Sequence, residues 1–86
     1  MLELNYTIND PTNNKEVLDT INEFLQNYTN KDYRTEIFNE KVMVFVYDLA
    51  CAYEAMQIIN AIDVIIDPLG FGFILDFIHY SEYTKK

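Results

Sequence analysis

The sequence predicts a small α+β domain, an antiparallel sheet of four or five strands with two helices on one face. Three observations predict it. The chain has 86 residues, enough for one core and too few for two. Half of them are hydrophobic and 15% are aromatic, which is too apolar for a disordered chain. Along the chain, the hydrophobic period alternates between two and 3.6 in the order strand, helix, strand, strand, helix, strand.

Leu2, Leu4, Tyr6 and Ile8 alternate with Glu3, Asn5 and Thr7, the period of a half-buried strand. Asn9-Asp10-Pro11-Thr12 breaks it. Asp10 is placed to cap a helix and Pro11 suits a first helical position; Asn13 with Glu16 is a competing start. Val17, Leu18, Ile21, Phe24, Leu25 and Tyr28 recur on one face of a helix over 13–28, and Thr29-Asn30-Lys31-Asp32 ends it. Tyr33–Phe38 reads as the second strand. Asn39-Glu40 is a two-residue turn into a third strand, Lys41–Asp48, although it lacks the glycine such turns favour. Val42–Tyr47 is continuously apolar and rich in β-branched residues, the mark of an interior strand with most of both faces covered.

Asp48 is placed to cap a helix beginning at Leu49. In that helix Leu49, Ala52, Tyr53, Met56 and Ile59 form one apolar stripe, and Cys51, Ala55, Ile58 and Ile62 form another. The combined face is wider than one small sheet needs. Val64–Ile66 is a short β-prone segment, and Asp67-Pro68-Leu69-Gly70 carries the residues of a type I turn. Phe73, Ile74, Phe77 and Tyr80 also fit a helix face, but the aromatic and β-branched content of Phe71–Tyr80 and the turn before it favour a strand. These last pieces predict an extra C-terminal hairpin strand beside the main sheet. The expected division is a domain over 1–80 and a polar tail over 81–86.

The βαββαβ order resembles that of ferredoxin-like domains, in which right-handed crossovers set both helices on one face of an antiparallel sheet. The resemblance is one of pattern, and that pattern hosts many functions.

Composition narrows the class of function. Six basic residues against fourteen acidic ones give a net charge of −8, which argues against direct binding to nucleic acid or an anionic membrane. One cysteine makes no internal disulfide and suits a reducing compartment. The first residues lack the basic and apolar regions of a signal peptide, and no apolar run is long enough to span a bilayer. A cytoplasmic protein is the expectation. Residue types with A/T-rich codons (Phe, Tyr, Met, Ile, Asn, Lys) number 40, against 9 for those with G/C-rich codons (Gly, Ala, Arg, Pro). This fits a low-GC bacterium, its phages or its mobile elements.

No residue constellation specifies a reaction. Asp76 and His79 have the spacing of two metal ligands on a helix, but on a strand positions three apart face opposite ways, and two ligands make no site. Cys51 near a helix start invites a lowered thiol pKa, but between Ala50 and Ala52 it reads as a small hydrophobe in a core or interface. Only Cys51 with His79 offers a nucleophile and a base. Asp63 and Asp67 punctuate turns. Gly70-Phe71-Gly72 leads into a strand and makes no phosphate loop. Phe71, Phe73 and Phe77 alternate on one strand face, as in RNA-stacking platforms, but without basic neighbours they read as core. The expectation is no enzyme, no metal and no cofactor.

The remaining signals concern protein partners. Glu16, Asp19 and Glu23 share the exposed face of the first helix, placed to steer a basic partner. Tyr53, Met56 and Ile58 on the second helix are the candidate apolar contacts with a partner or a second copy. The sequence therefore predicts a non-enzymatic protein-binding module: a small acidic inhibitor, from a phage or mobile element, of a nucleic-acid-processing host defence protein. The alternative is a homodimeric, ligand-responsive regulatory domain.

Overall fold

A computed structural model describes residues 1–82. The elements are β1 (Leu2–Ile8), α1 (Asn14–Tyr28), β2 (Tyr33–Phe38), β3 (Lys41–Val46), α2 (Ala52–Ile66) and β4 (Phe73–Tyr80), with single 3-10 turns at Pro11–Asn13 and Asp67–Leu69. The strands form one antiparallel sheet of order β2-β3-β1-β4. This α+β arrangement is consistent with a ferredoxin-like fold, as the periodicity predicts. Of the expected tail, Ser81 still pairs with the first residue: its N–H donates to the Met1 carbonyl at 2.9 Å. Residues 83–86 lie outside the described residues.

Alternation in β1 decides where the core lies. Leu2, Leu4, Tyr6 and Ile8 are buried, and Val42, Val44 and Val46 of β3 join them on the same face. The helices cover that face with Val17, Ile21 and Leu25 from α1 and Ala55, Ile58, Ile62 and Ile66 from α2. Burying each large aliphatic side chain contributes about 1.5–3 kcal/mol. Polar contacts fix α1 over the β2–β3 hairpin. Buried Asn14 donates through Nδ2 to the Glu40 carbonyl at 3.1 Å, and the Thr35 hydroxyl donates to Asn22 Oδ1 at 2.6 Å. At the hairpin tip, Asn39 and Glu40 have φ of 56° and 61°. Both central residues are thus left-handed, the geometry that matches strand twist, and it is reached here without glycine.

Three segments depart from the sequence expectation. Asp48 does not cap a helix. Its φ is 58°, which carries Leu49 inward to a buried position. The helix therefore starts at Ala52, after an extended Cys51, and Glu54 Oε1 accepts the Ala50 N–H at 2.9 Å. At the other end, Val64–Ile66 is the last turn of α2, so no extra hairpin strand forms among the described residues. Ile58, Ile62 and Ile66 are four apart and all buried; that helical stripe outweighs the β preference of the individual residues. Pro68 and Gly70 then stop the helix, with the Gly70 N–H donating to the Asp67 carbonyl at 3.1 Å.

The third departure is in β4. Tyr6 pairs with Leu75 and Asn5 with Phe77, leaving Asp76 as an extra residue, a β-bulge. Phe73 and Leu75 face the core, as the alternation predicts. Past the bulge the faces exchange, so Phe77 turns to the opposite side with Ile74 and His79. Phe71, Phe73 and Phe77 therefore do not share one face.

Two substitutions test the backbone argument. Glu40→Gly relieves a left-handed non-glycine residue, and the released strain exceeds the added chain entropy by about 0.5 kcal/mol. The expected rise in Tm is about 2–4 °C; an unchanged or lower Tm would contradict it. Gly72→Ala acts the other way. Gly72 has φ of 74°, and an added Cβ would lie 2.3 Å from Asn9 Nδ2, beside the bond from the Asn9 N–H to the Gly72 carbonyl. A loss of about 1–2 kcal/mol is expected in urea unfolding.

Candidate functional site

Both sides of the sheet carry candidate surfaces. On the helix side, Glu16, Asp19 and Glu23 of α1 are all exposed, at the helical spacing that puts them on one face. Asp19 is partly neutralised: Lys15 Nζ donates to both its oxygens at 2.9 Å. Glu23 reaches the rim of a trough between the helices. One end of that trough, about 420 Å³, is lined by Thr20, Glu23, Phe24, Asn27, Tyr28 and Ile65. Asn27 and Tyr28 continue into a more polar end of about 590 Å³ bordered by Lys31, Glu54 and Gln57. Phe24 and Tyr28 stack at 4.8 Å between ring centres, a one-turn spacing on α1 that makes a flat aromatic wall.

The apolar candidates on α2 divide. Tyr53 is 69% exposed and Met56 is also exposed, whereas Ile58 is 1% exposed and belongs to the core. Ile58 therefore lies in the core, at the floor of the trough's polar end, and not on the outer face. Its place on the outer face is taken by Val64, 70% exposed, which the sequence reading assigned to a strand. The wide apolar face of this helix is real, and β4 does not fold over it.

The other side of the sheet is open. It presents Glu3, Asn5 and Thr7 from β1, Arg34, Glu36 and Phe38 from β2, Lys41, Met43 and Phe45 from β3, and Ile74, Phe77 and His79 from β4, as the pairing register requires. The bulge adds Asp76 to this face. Its carboxylate accepts from Lys41 Nζ and from the Thr7 hydroxyl, while Lys41 also donates to Thr7 Oγ1 at 2.8 Å. Arg34 lies 4.5 Å over the ring of Phe45 and pairs with Glu36 at 3.2 Å. His79 stacks on Phe77. The sequence reading missed this surface. Its signal was the polar alternation of Glu3, Asn5 and Thr7, followed outward to the strands that flank them.

The same bulge corrects the reading of Asp76 and His79, which share the open face rather than opposite ones. Asp76 is held by Lys41 and Thr7, and no group of three metal-ligating side chains occurs among the described residues. Cys51 is exposed at the N-cap of α2, whereas His79 lies on the open face of β4. No helix among the described residues is long and apolar enough to cross a membrane.

Three carboxyl groups have shifted proton affinities. The hydrogen bond from Lys41, then that from Thr7, holds Asp76 below the usual carboxylate range. The Thr12 N–H and hydroxyl do the same for Asp10. Asp63 moves the other way, raised chiefly by burial. It faces the buried hydroxyl of Tyr6, itself raised mainly by burial and then by the Asp63 charge. Neither the Tyr6 hydroxyl nor Asp63 Oδ1 reaches full hydrogen-bond geometry with any partner, so this contact is electrostatic proximity rather than a formed bond.

Comparison of the chain with protein-family models, curated proteins and solved structures finds no match to any of them.

These shifts have opposite consequences for stability. The lowered affinity of Asp76 contributes stability above the ordinary carboxylate range, and that contribution is lost as pH falls through the folded value. Asp76→Asn should therefore lower Tm at pH 7 and converge with the parent in acid; a constant offset at every pH would refute the linkage. The raised affinity of Asp63 means that folding favours its protonated form, so stability declines as pH rises through and above its unfolded value. Asp63→Asn should raise Tm at pH 7, with the gain shrinking toward acid. A loss at neutral pH would instead make the carboxylate a net stabilising partner of Tyr6.

Proposed function

We propose that this chain is a non-enzymatic protein-binding module that engages its partner through the helix layer. The observation that carries the reading is the position of Glu23. It belongs to the acidic face of α1 and also lines the trough walled by Phe24, Tyr28 and Ile65. Charge and apolar surface thus adjoin. The carboxylates raise the encounter rate with a basic partner, and the aromatic wall, with exposed Tyr53, Met56 and Val64 nearby on α2, supplies contact area that charge alone does not.

The partner that fits is a basic, nucleic-acid-processing protein whose phosphate-binding surface the carboxylates of Glu16, Asp19 and Glu23 would occupy. The net charge of −8 supports this, since it disfavours nucleic acid itself. The excess of residue types with A/T-rich codons fits a phage or mobile element of a low-GC bacterium as the source, with the module acting as an inhibitor of host defence in the cytoplasm. No catalytic role is assigned to Cys51, His79 or the carboxylates.

The test is capture from a low-GC host lysate with the tagged chain and with a Glu16→Lys, Asp19→Lys, Glu23→Lys variant. The expected result is a basic nucleic-acid-binding protein, released by salt, with affinity reduced about tenfold or more in the variant and its salt dependence weakened. Equal capture by both chains, or capture that salt does not weaken, would overturn the reading.

A further inference from the structure

We infer that the open face of the sheet is the interface of a face-to-face homodimer, a property independent of the helix-layer reading above. Phe38 is 64% exposed, Ile74 60%, and Phe77 is also exposed. Phe38 stands on one edge strand and Ile74 and Phe77 on the other, with Met43 between them and Phe45 buried beneath Arg34. Covering the exposed apolar side chains at the two edges of this face is stabilising.

Charge identifies a second copy as the cover. The open face holds two cations, Arg34 and Lys41, against three carboxylates, Glu3, Glu36 and Asp76, in a chain of net charge −8. The cations are matched where they stand: Arg34 with Glu36, Lys41 with Asp76. Glu3 sits opposite His79 in the β1–β4 register. A basic partner finds little field here and much more on the helix layer. A second copy, by contrast, meets a surface of nearly balanced charge, so two such faces approach without the repulsion that two helix layers would meet.

Geometry supports the same occupant. Sheets pack face to face about 10 Å apart, with the helices on the outside of the resulting sandwich. The two acidic helix layers then stand on the order of 30 Å apart, several Debye lengths at physiological ionic strength. Face-to-face packing is thus the association that best separates the excess negative charge. The footprint is small. Four strands at about 4.8 Å and six to eight residues at about 3.3 Å cover about 400–500 Å² per copy. That size, about 800–1,000 Å² in total, belongs to weak, reversible association.

The experiment is sedimentation velocity of the full chain over about 1–300 μM at low and high salt, joined to NMR shift mapping over the same range. The expected result is a mass that moves from monomer toward dimer with concentration. Because screening relieves the repulsion of two −8 chains, salt should preserve or strengthen the dimer, opposite to its effect on capture of a basic partner. Shift changes should centre on Phe38, Met43, Ile74 and Phe77. Ile74→Glu should weaken the dimer by about tenfold or more, with Phe38→Ser as a milder second variant; circular dichroism checks that each remains folded. The Glu16, Asp19 and Glu23 reversal should leave the dimer intact. A monomer at every concentration, or shifts confined to Tyr53, Met56 and Val64, would overturn the inference while leaving the helix-layer reading untouched.

Discussion

Leu2, Leu4, Tyr6 and Ile8 project from the central strand into the space beneath both helices, and none is more than 2% exposed. Everything else is arranged around keeping those four side chains dry. β3 and β4 pair on either side of β1, α1 and α2 close the layer above, and the polar residues between the four must point to the other side of the sheet. A one-residue slip of β1 would put Glu3, Asn5 and Thr7 into the core, so the register is strongly specified. The two-sided character of the molecule follows directly. One side is a packed helix layer whose outer surface is acidic, and the other is a bare sheet whose charges nearly balance.

Tyr6 is the point at which this arrangement is least comfortable. It is the largest of the fully buried side chains, its ring meets Phe73 edge-on at 5.9 Å, and its hydroxyl ends beside a carboxylate without a formed hydrogen bond. A buried polar group left in this state costs on the order of 1–3 kcal/mol. The aromatic area it contributes to a core this small outweighs that cost.

Much of this architecture was legible in the order of elements. The alternation of Leu2 through Ile8 and the single-faced pattern of Val17 through Tyr28 are periodic over whole elements, and each formed where its period required. The errors fell where one residue decides a geometry that no period records. Asp48 adopts a left-handed backbone that a capping residue would not have, and the start of α2 moved by three residues. Val64–Ile66 carried a local β preference that the buried stripe of Ile58, Ile62 and Ile66 overrode. The acidic face of α1 was readable because exposed positions on one helix follow from spacing alone. The open sheet face was not, because it is assembled from four strands whose pairing is set by tertiary structure. Ile58 shows the same limit within a single helix: two apolar stripes were visible, and which one faced inward was not.

The bulge in β4 bears on how this strand responds to changes in length. In an ordinary strand the loss of one residue inverts every side chain beyond it. Here Leu75 faces inward and Phe77 outward with Asp76 between them as the unpaired residue. A chain lacking Asp76 would alternate without interruption and keep every β1–β4 pairing in place. Only the polar tie among Lys41, Thr7 and that carboxylate would go. β4 thus contains one position at which an insertion or deletion is nearly invisible to the core. Kindred chains can differ there in length while sharing a fold, and a comparison of their sequences that forbids a gap inside a strand would misplace the last four residues of the sheet.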